Sequence, residues 1–174
     1  EKGEIGLSRR VIAQIFSARG EHDEALEYIN DAIDILREEE DPYHIARTLL
    51  AMAEIKTAAS SEKIEKIQLL YDEAYRIFRK LKVVYWTAET EYRAGMFACQ
   101  QGNLSRGFKR LSRAEKALSS LNEKTKVRAV SKFLASLSEQ AVALSVSSEN
   151  EFKVFSNLIT PDEYSDLKSS KIDE

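Results

Sequence analysis

The chain has 174 residues, a formal net charge of −3 and 43% hydrophobic residues, with six Gly, two Pro and one Cys. That is enough apolar material for a sizeable core and too little Gly and Pro for a fold rich in β-turns. A lone Cys99 excludes an internal disulfide and fits a reducing compartment, and neither a run of about 18 apolar residues nor an apolar segment behind a basic start is present, so a cytoplasmic protein with no membrane segment is expected.

The first helix is predicted over Gly6 to Ala18, where Leu7, Val11, Ile12, Ile15 and Phe16 recur along one helical face. Gly20 ends it, His22 and Asp23 make the turn, and Asp23 is read as the N-cap of a second helix carrying Leu26, Ile29, Ile33 and Leu36. Asp41 caps a third helix with Pro42 at its first position, where a missing N–H costs nothing. Ser60 and Ser61 interrupt the pattern, and Glu62 is the expected start of a fourth helix bearing Ile64, Ile67, Tyr71, Ala74, Ile77 and Phe78. Tyr85, Trp86, Tyr92, Met96 and Phe97 mark the fifth helix. After a Gly102-Asn103 turn, Leu104, Phe108, Leu111, Ala114 and Leu118 mark the sixth, with Asn122 either its stop or the next cap. A seventh helix is expected from Thr125 to about Ser145, then a short helix from Ser148 to Leu158 and a capping box at Thr160-Pro161-Asp162-Glu163.

These helices repeat as pairs. Ala13, Ala53, Gly95 and Ala135 fall at offsets of 40, 42 and 40 residues, and Ala32, Ala74 and Ala114 keep the same step further along each unit. A fixed period of this size is the mark of stacked helical hairpins, each too small to bury its apolar face alone. The expected organisation is an all-α repeat domain over 1–159, with units at about 5–40, 41–82 and 83–122, capping helices over 123–159, and a short helical turn and tail over 160–174. Because Glu1 opens the chain and the helical pattern is under way by Ile5, a piece of a longer protein is expected.

The turn Ala18-Arg19-Gly20-Glu21-His22-Asp23-Glu24-Ala25-Leu26, its counterpart Gln101-Gly102-Asn103-Leu104, and the alanines Ala32 and Ala114 resemble the tetratricopeptide repeat (TPR). The unit here is longer than the standard one by about six residues, and the closing Pro of that family appears once, as Pro42. The longer period, with the stretches Asp41 to Leu50 and Ala74 to Leu81, is similar to the repeat arrays of bacterial MalT-like and sigma-54-type transcription regulators. That resemblance implies a right-handed superhelical array whose first helices of each pair line a concave face. It also implies a non-catalytic interaction segment of a larger signalling or transcription regulator, with no cofactor of its own.

Carried onto this chain by phase, the groove falls on Arg10 and Gln14 in the first unit, Arg47, Leu50 and Glu54 in the second, Glu89, Tyr92 and Met96 in the third, and Lys132 and Ser136 in the fourth. Adaptable polar side chains mixed with Met and Tyr suit a bound peptide or protein segment.

Charge is unevenly spread, with net −6 over residues 1–60, +7 over 61–146 and −4 over 147–174. Arg106, Lys109, Arg110, Arg113 and Lys116 form a basic stripe on the sixth helix, read as a solvated face, with phosphate contact or docking on the acidic end of another copy as alternatives. Self-association and nucleic-acid contact through residues 76–128 are thus the alternative functions, though nucleic acid is not expected to be the partner. His22 and His44 have no ligands at metal spacing, Glu89 and Glu91 are read as exposed carboxylates, Cys99 as a structural thiol, and no phosphate loop or catalytic motif is present, so no metal and no enzyme activity are expected.

Overall fold

The computed structural model describes residues 2–147. Within them seven helices follow one another in chain order: α1(Lys2–Arg19), α2(His22–Glu38), α3(Pro42–Ala58), α4(Ile64–Lys80), α5(Val84–Gln100), α6(Leu104–Ser120) and α7(Lys124–Ser147). The odd-numbered helices begin 40, 42 and 40 residues apart, which reproduces the period of the sequence. The expected helix at Ser148 to Leu158, the capping box at Thr160 to Glu163 and the tail over 160–174 lie outside the described residues.

One turn design recurs six times. After each of the first six helices a single residue takes a left-handed conformation: Gly20, Glu40, Ser60, Lys82, Gly102 and Asn122. Two backbone bonds close the turn. After α1, Gly20 N donates to Ser17 O at 3.0 Å and Glu21 N to Phe16 O at 3.0 Å; after α4, Lys82 N donates to Arg79 O at 3.1 Å and Val83 N to Phe78 O at 3.0 Å. This satisfies carbonyls that the helix end leaves unpaired. Glycine adopts the conformation freely, whereas a side-chain-bearing residue such as Lys82 holds it at a cost of about 1 kcal/mol.

Starts are less uniform. Asp41 Oδ1 accepts from His44 N at 3.0 Å with Pro42 at the first helical position, and Asn103 Oδ1 accepts from Arg106 N at 3.1 Å. Two expected starts are corrected. The tight turn returns the chain to helical geometry directly after Glu21, so Glu21 holds the cap position without a side-chain bond and Asp23 lies inside the first turn of α2, where its charge favours the helix dipole. Likewise α4 begins at Ile64 after Lys63; Glu62 sits outside, accepting from Lys63 N at 3.1 Å and pairing with Lys66 at 3.3 Å.

Each helix packs on its neighbours in sequence, and α1 also touches α3. The three repeat alanines, Ala32, Ala74 and Ala114, are fully buried. One apolar cluster joins α1 to α5 through Ala13, Ile29, Leu49, Ile55, Ile67, Tyr71, Phe78 and Phe97; a second joins α5 to α7 through Ala88, Leu111, Leu118, Val130 and Leu134. At the crossing of α5 and α6 the backbones approach closely. A Cβ at Gly95 would stand 2.8 Å from Leu111 Cγ, and one at Gly107 would overlap Cys99 Sγ and meet Gly95 O at 3.0 Å.

Candidate functional site

The odd-numbered helices form a continuous wall, joined side chain to side chain. The guanidinium of Arg47 on α3 lies 4.4 Å above the ring of Trp86 on α5, a cation–π contact. Further along, Arg93 on α5 donates to Glu54 on α3 at 2.7 Å and to Glu89 at 2.8 Å. Lys126 on α7 completes the row, donating to Glu89 at 2.5 Å and to Tyr85 Oη at 2.7 Å. Burial pushes the Glu89 carboxyl up, but the hydrogen bonds from Lys126 and Arg93 outweigh it and hold the group below the usual carboxylate range. The balance falls the other way at Glu54: burial exceeds the pull of Arg93, and its carboxyl is raised.

At the other end of the wall the balance of charge differs. Arg10 on α1 is 7% exposed, and its Nη1 is buried with no hydrogen-bond acceptor among the described residues. Burial lowers its affinity for the proton, and the nearby charge of Arg47 lowers it further. His44 joins the same cluster. Its proton affinity is lowered by burial and by the charges of Arg10 and Arg47, against the opposing pull of Asp41, whose Oδ2 lies 3.6 Å from Nδ1. The Tyr43 ring stands edge-on to His44 at 5.1 Å.

Of the residues placed in the groove by sequence, Arg10, Arg47, Glu54 and Glu89 belong to this wall and its contacts. Gln14 and Lys132 are exposed, Tyr92 and Met96 are half-buried against the second cluster, and the Ser136 hydroxyl donates to Phe133 O at 2.8 Å. Leu50 is corrected: at 1% exposure it is core, because helix phase turns it into the first cluster. Glu89 and Glu91 are corrected too. They are 5% and 3% exposed, not solvent-facing carboxylates, since cations from neighbouring helices close over them.

The basic stripe divides in the same way. Arg110 donates to Glu91 at 2.8 Å and pairs with Asp72, Arg113 reaches Glu91 at 3.3 Å, and Arg106 donates to Gln68 at 2.6 Å and Asp72 at 3.1 Å. These three arginines tie α6 to α4 and α5; only Lys109 and Lys116 of the five carry no ion pair among the described residues and face solvent. Sequence reading missed the partners Asp72, Arg93 and Lys126. A signal existed: Glu54 with Arg93, Glu89 with Lys126 and Asp72 with Arg110 are opposite charges 39, 37 and 38 residues apart, just under one repeat.

Among the described residues no group of three His, Cys, Asp or Glu side chains could hold a metal ion, and no helix is long and apolar enough to cross a membrane. Burial raises the Cys99 thiol, which keeps it protonated and inert. Paired helices stacked on a forty-residue period, with small residues where they meet, define an all-α solenoid of the helix–turn–helix repeat class. Residues 5–80, which run from α1 to the end of α4, match the family model of the tetratricopeptide repeat, so this part of the chain is built of repeats similar to that family's. Repeats of this family are non-catalytic scaffolds that mediate contacts between proteins. No curated protein matches the chain.

Proposed function

We propose that this chain is a non-catalytic interaction module, a segment of a larger bacterial signalling or transcription regulator in the cytoplasm, that binds a peptide or protein segment along the wall of α1, α3, α5 and α7. The row of side-chain contacts running from Arg47 through Trp86, Glu54, Arg93 and Glu89 to Lys126 carries this reading. It presents charge held in fixed places beside the half-buried Tyr92 and Met96, the mixture that recognises an extended or helical segment by a few anchored contacts. The nucleic-acid alternative draws less support, because three of the five stripe cations are committed to Asp72, Glu91 and Gln68.

The test is a double substitution, Arg47→Ala with Tyr92→Ala. Partners recovered with the wild-type chain should be lost from the variant while its far-ultraviolet circular dichroism stays unchanged. Retention of every wild-type partner by the double variant overturns the assignment of the binding wall.

A further inference from the structure

The two ends of the array are finished differently. On α7 the residues turned to solvent include Arg128, Lys132 and Glu139, a charged stripe that needs no cover. On α1 they include Ile5, Ser8 and Ile15, with Ile12 half-buried between them, and the four fall on one row of the helix. Ile5 and Ile15 are 50% and 48% exposed.

That row is interior in every later unit. In register with Ala13, Ile12 corresponds to Met52, Ala94 and Leu134, and Ile15 to Ile55, Phe97 and Leu137; all six are buried. α3, α5 and α7 each lie against the even-numbered helix before them, and α1 has no such neighbour among the described residues. What it has instead is a groove of about 560 Å³ shared with α2, lined by Glu4, Ile5, Ser8, Arg9, Ile12 and Tyr28. The groove is therefore shaped as the rest of the array shapes a seat for a helix, with anchors at helical spacing.

Charge says what kind of helix fits. Each later even-numbered helix reaches back to the one before it by ion pairs: Glu73 on α4 to Arg37 on α2 at 3.8 Å, Arg106 on α6 to Asp72 on α4 at 3.1 Å. The residues of α2 in those places are Asp31 and Glu24, at the same repeat offsets. Both are acidic and exposed, and Glu24, like Glu4 in the groove, has no ion pair among the described residues. Where α4 sets an acid against Arg106, the helix seated on α1 and α2 must set a cation against Glu24. A second copy does not meet this description. Its α1 brings an apolar row edged by the same acids, and the solvent-facing stripe of its α7 brings cations without an apolar row.

We propose that the open face of α1 and α2 is a docking site for an amphipathic helix of a partner protein, with one apolar row against Ile5, Ile12 and Ile15 and Lys or Arg along its edges. This surface is separate from the binding wall and does not depend on it.

The probes are fluorescein-labelled helical peptides of about 18 residues, with one Leu row and edges of Lys, Gln or Glu, and a scrambled Lys peptide in which the Leu row is broken up. We expect fluorescence anisotropy to show saturable binding of the Lys peptide with Kd below about 100 μM, the Glu and scrambled peptides being at least about tenfold weaker and the Gln peptide intermediate. Ile15→Glu should weaken the Lys peptide by about tenfold or more, although it adds a negative charge, and because Ile15 is exposed the melting temperature should stay within about a degree or two. Glu24→Lys should reduce the preference for Lys over Glu edges. Ile15→Cys should react with a maleimide as an exposed thiol and be protected by the Lys peptide, the unsubstituted chain giving the background from Cys99.

No saturable binding up to about 1 mM overturns the docking site, and so does equal affinity for the Lys peptide and either its Glu or its scrambled form. Unchanged affinity in Ile15→Glu places the peptide elsewhere on the molecule and overturns it as well. Protection of Ile15→Cys without peptide means that the protein already covers this face, and self-association abolished by Ile15→Glu means that a second copy does; either result overturns the proposal.

Discussion

The hairpins α3/α4 and α5/α6 hold equivalent places in the array but are packed in opposite ways. Where α5 crosses α6 the aligned residues are Gly95 and Gly107, and the backbones are so close that Cys99 and Leu111 fill the space a Cβ would need. In α3/α4 the aligned residues are Ala53 and Ile67, both buried, and the two helices are less closely apposed than α5 and α6. Rings fill the room this opens. Tyr71 meets Phe97 with centroids 5.6 Å apart, and Phe78 lies between Tyr43 at 6.0 Å and Trp86 at 5.8 Å. A repeat therefore tolerates a large residue at its crossing when the next unit supplies aromatic side chains to fill the wedge. Backbone contact and side-chain filling are alternative solutions to one packing problem.

The sharpest way to break this comparison is to take volume away from one crossing and add it to the other. Ile67→Ala should cost about 2–5 kcal/mol in equilibrium urea unfolding, since it leaves a cavity that the surrounding rings fill only in part. If the loss were below about 1 kcal/mol, α3 and α4 would have closed to the glycine spacing. Gly107→Ala works in the opposite sense and should cost about 1–3 kcal/mol by overpacking. Adding Cys99→Ala should recover much of that loss, with Gly95 O remaining as the second obstacle, so the double-mutant cycle should show clear coupling. Strict additivity would mean that α5 and α6 can slide apart as readily as their counterparts. The smallest effect separates the turn after α4 from the turn after α5. Lys82→Gly, relieving a left-handed side-chain-bearing residue after α4, should stabilise by about 0.5–1 kcal/mol, whereas Gly102→Ala after α5 should lose a similar amount, both read from thermal unfolding.

Much of the fold could be read from residue spacing alone. Period, helix order and the burial of Ala32, Ala74 and Ala114 follow from apolar positions recurring every forty residues, and burial is set by helix phase. Half of the turns were marked by composition: Gly20, Gly102 and Asn122 are residues that accept a left-handed backbone. Ser60 is marked only as a break in the pattern with Ser61, and Glu40 and Lys82 carry no mark of a left-handed backbone. The candidate site was legible as a face and not as a network. Phase put Arg10, Arg47 and Glu89 on one wall, but it could not tell which would be buried, because a carboxylate such as Glu91 becomes interior only when arginines from a different helix reach over it. Pairing across units is a long-range event, and local pattern encodes it only through the recurrence of opposite charges near the repeat length.

Helix α5 contributes Ala94 and Phe97 to the first apolar cluster and Ala88 to the second. Stacked repeats need not melt together, because each unit touches only its neighbours and can detach from an end. Here the two cores share one helix: neither can come apart without stripping apolar cover from the other. The thermodynamic consequence is cooperativity. Heating should take the array apart in a single transition, with calorimetric and van't Hoff enthalpies equal, so a partner bound at one end stabilises the far end as much as the near one.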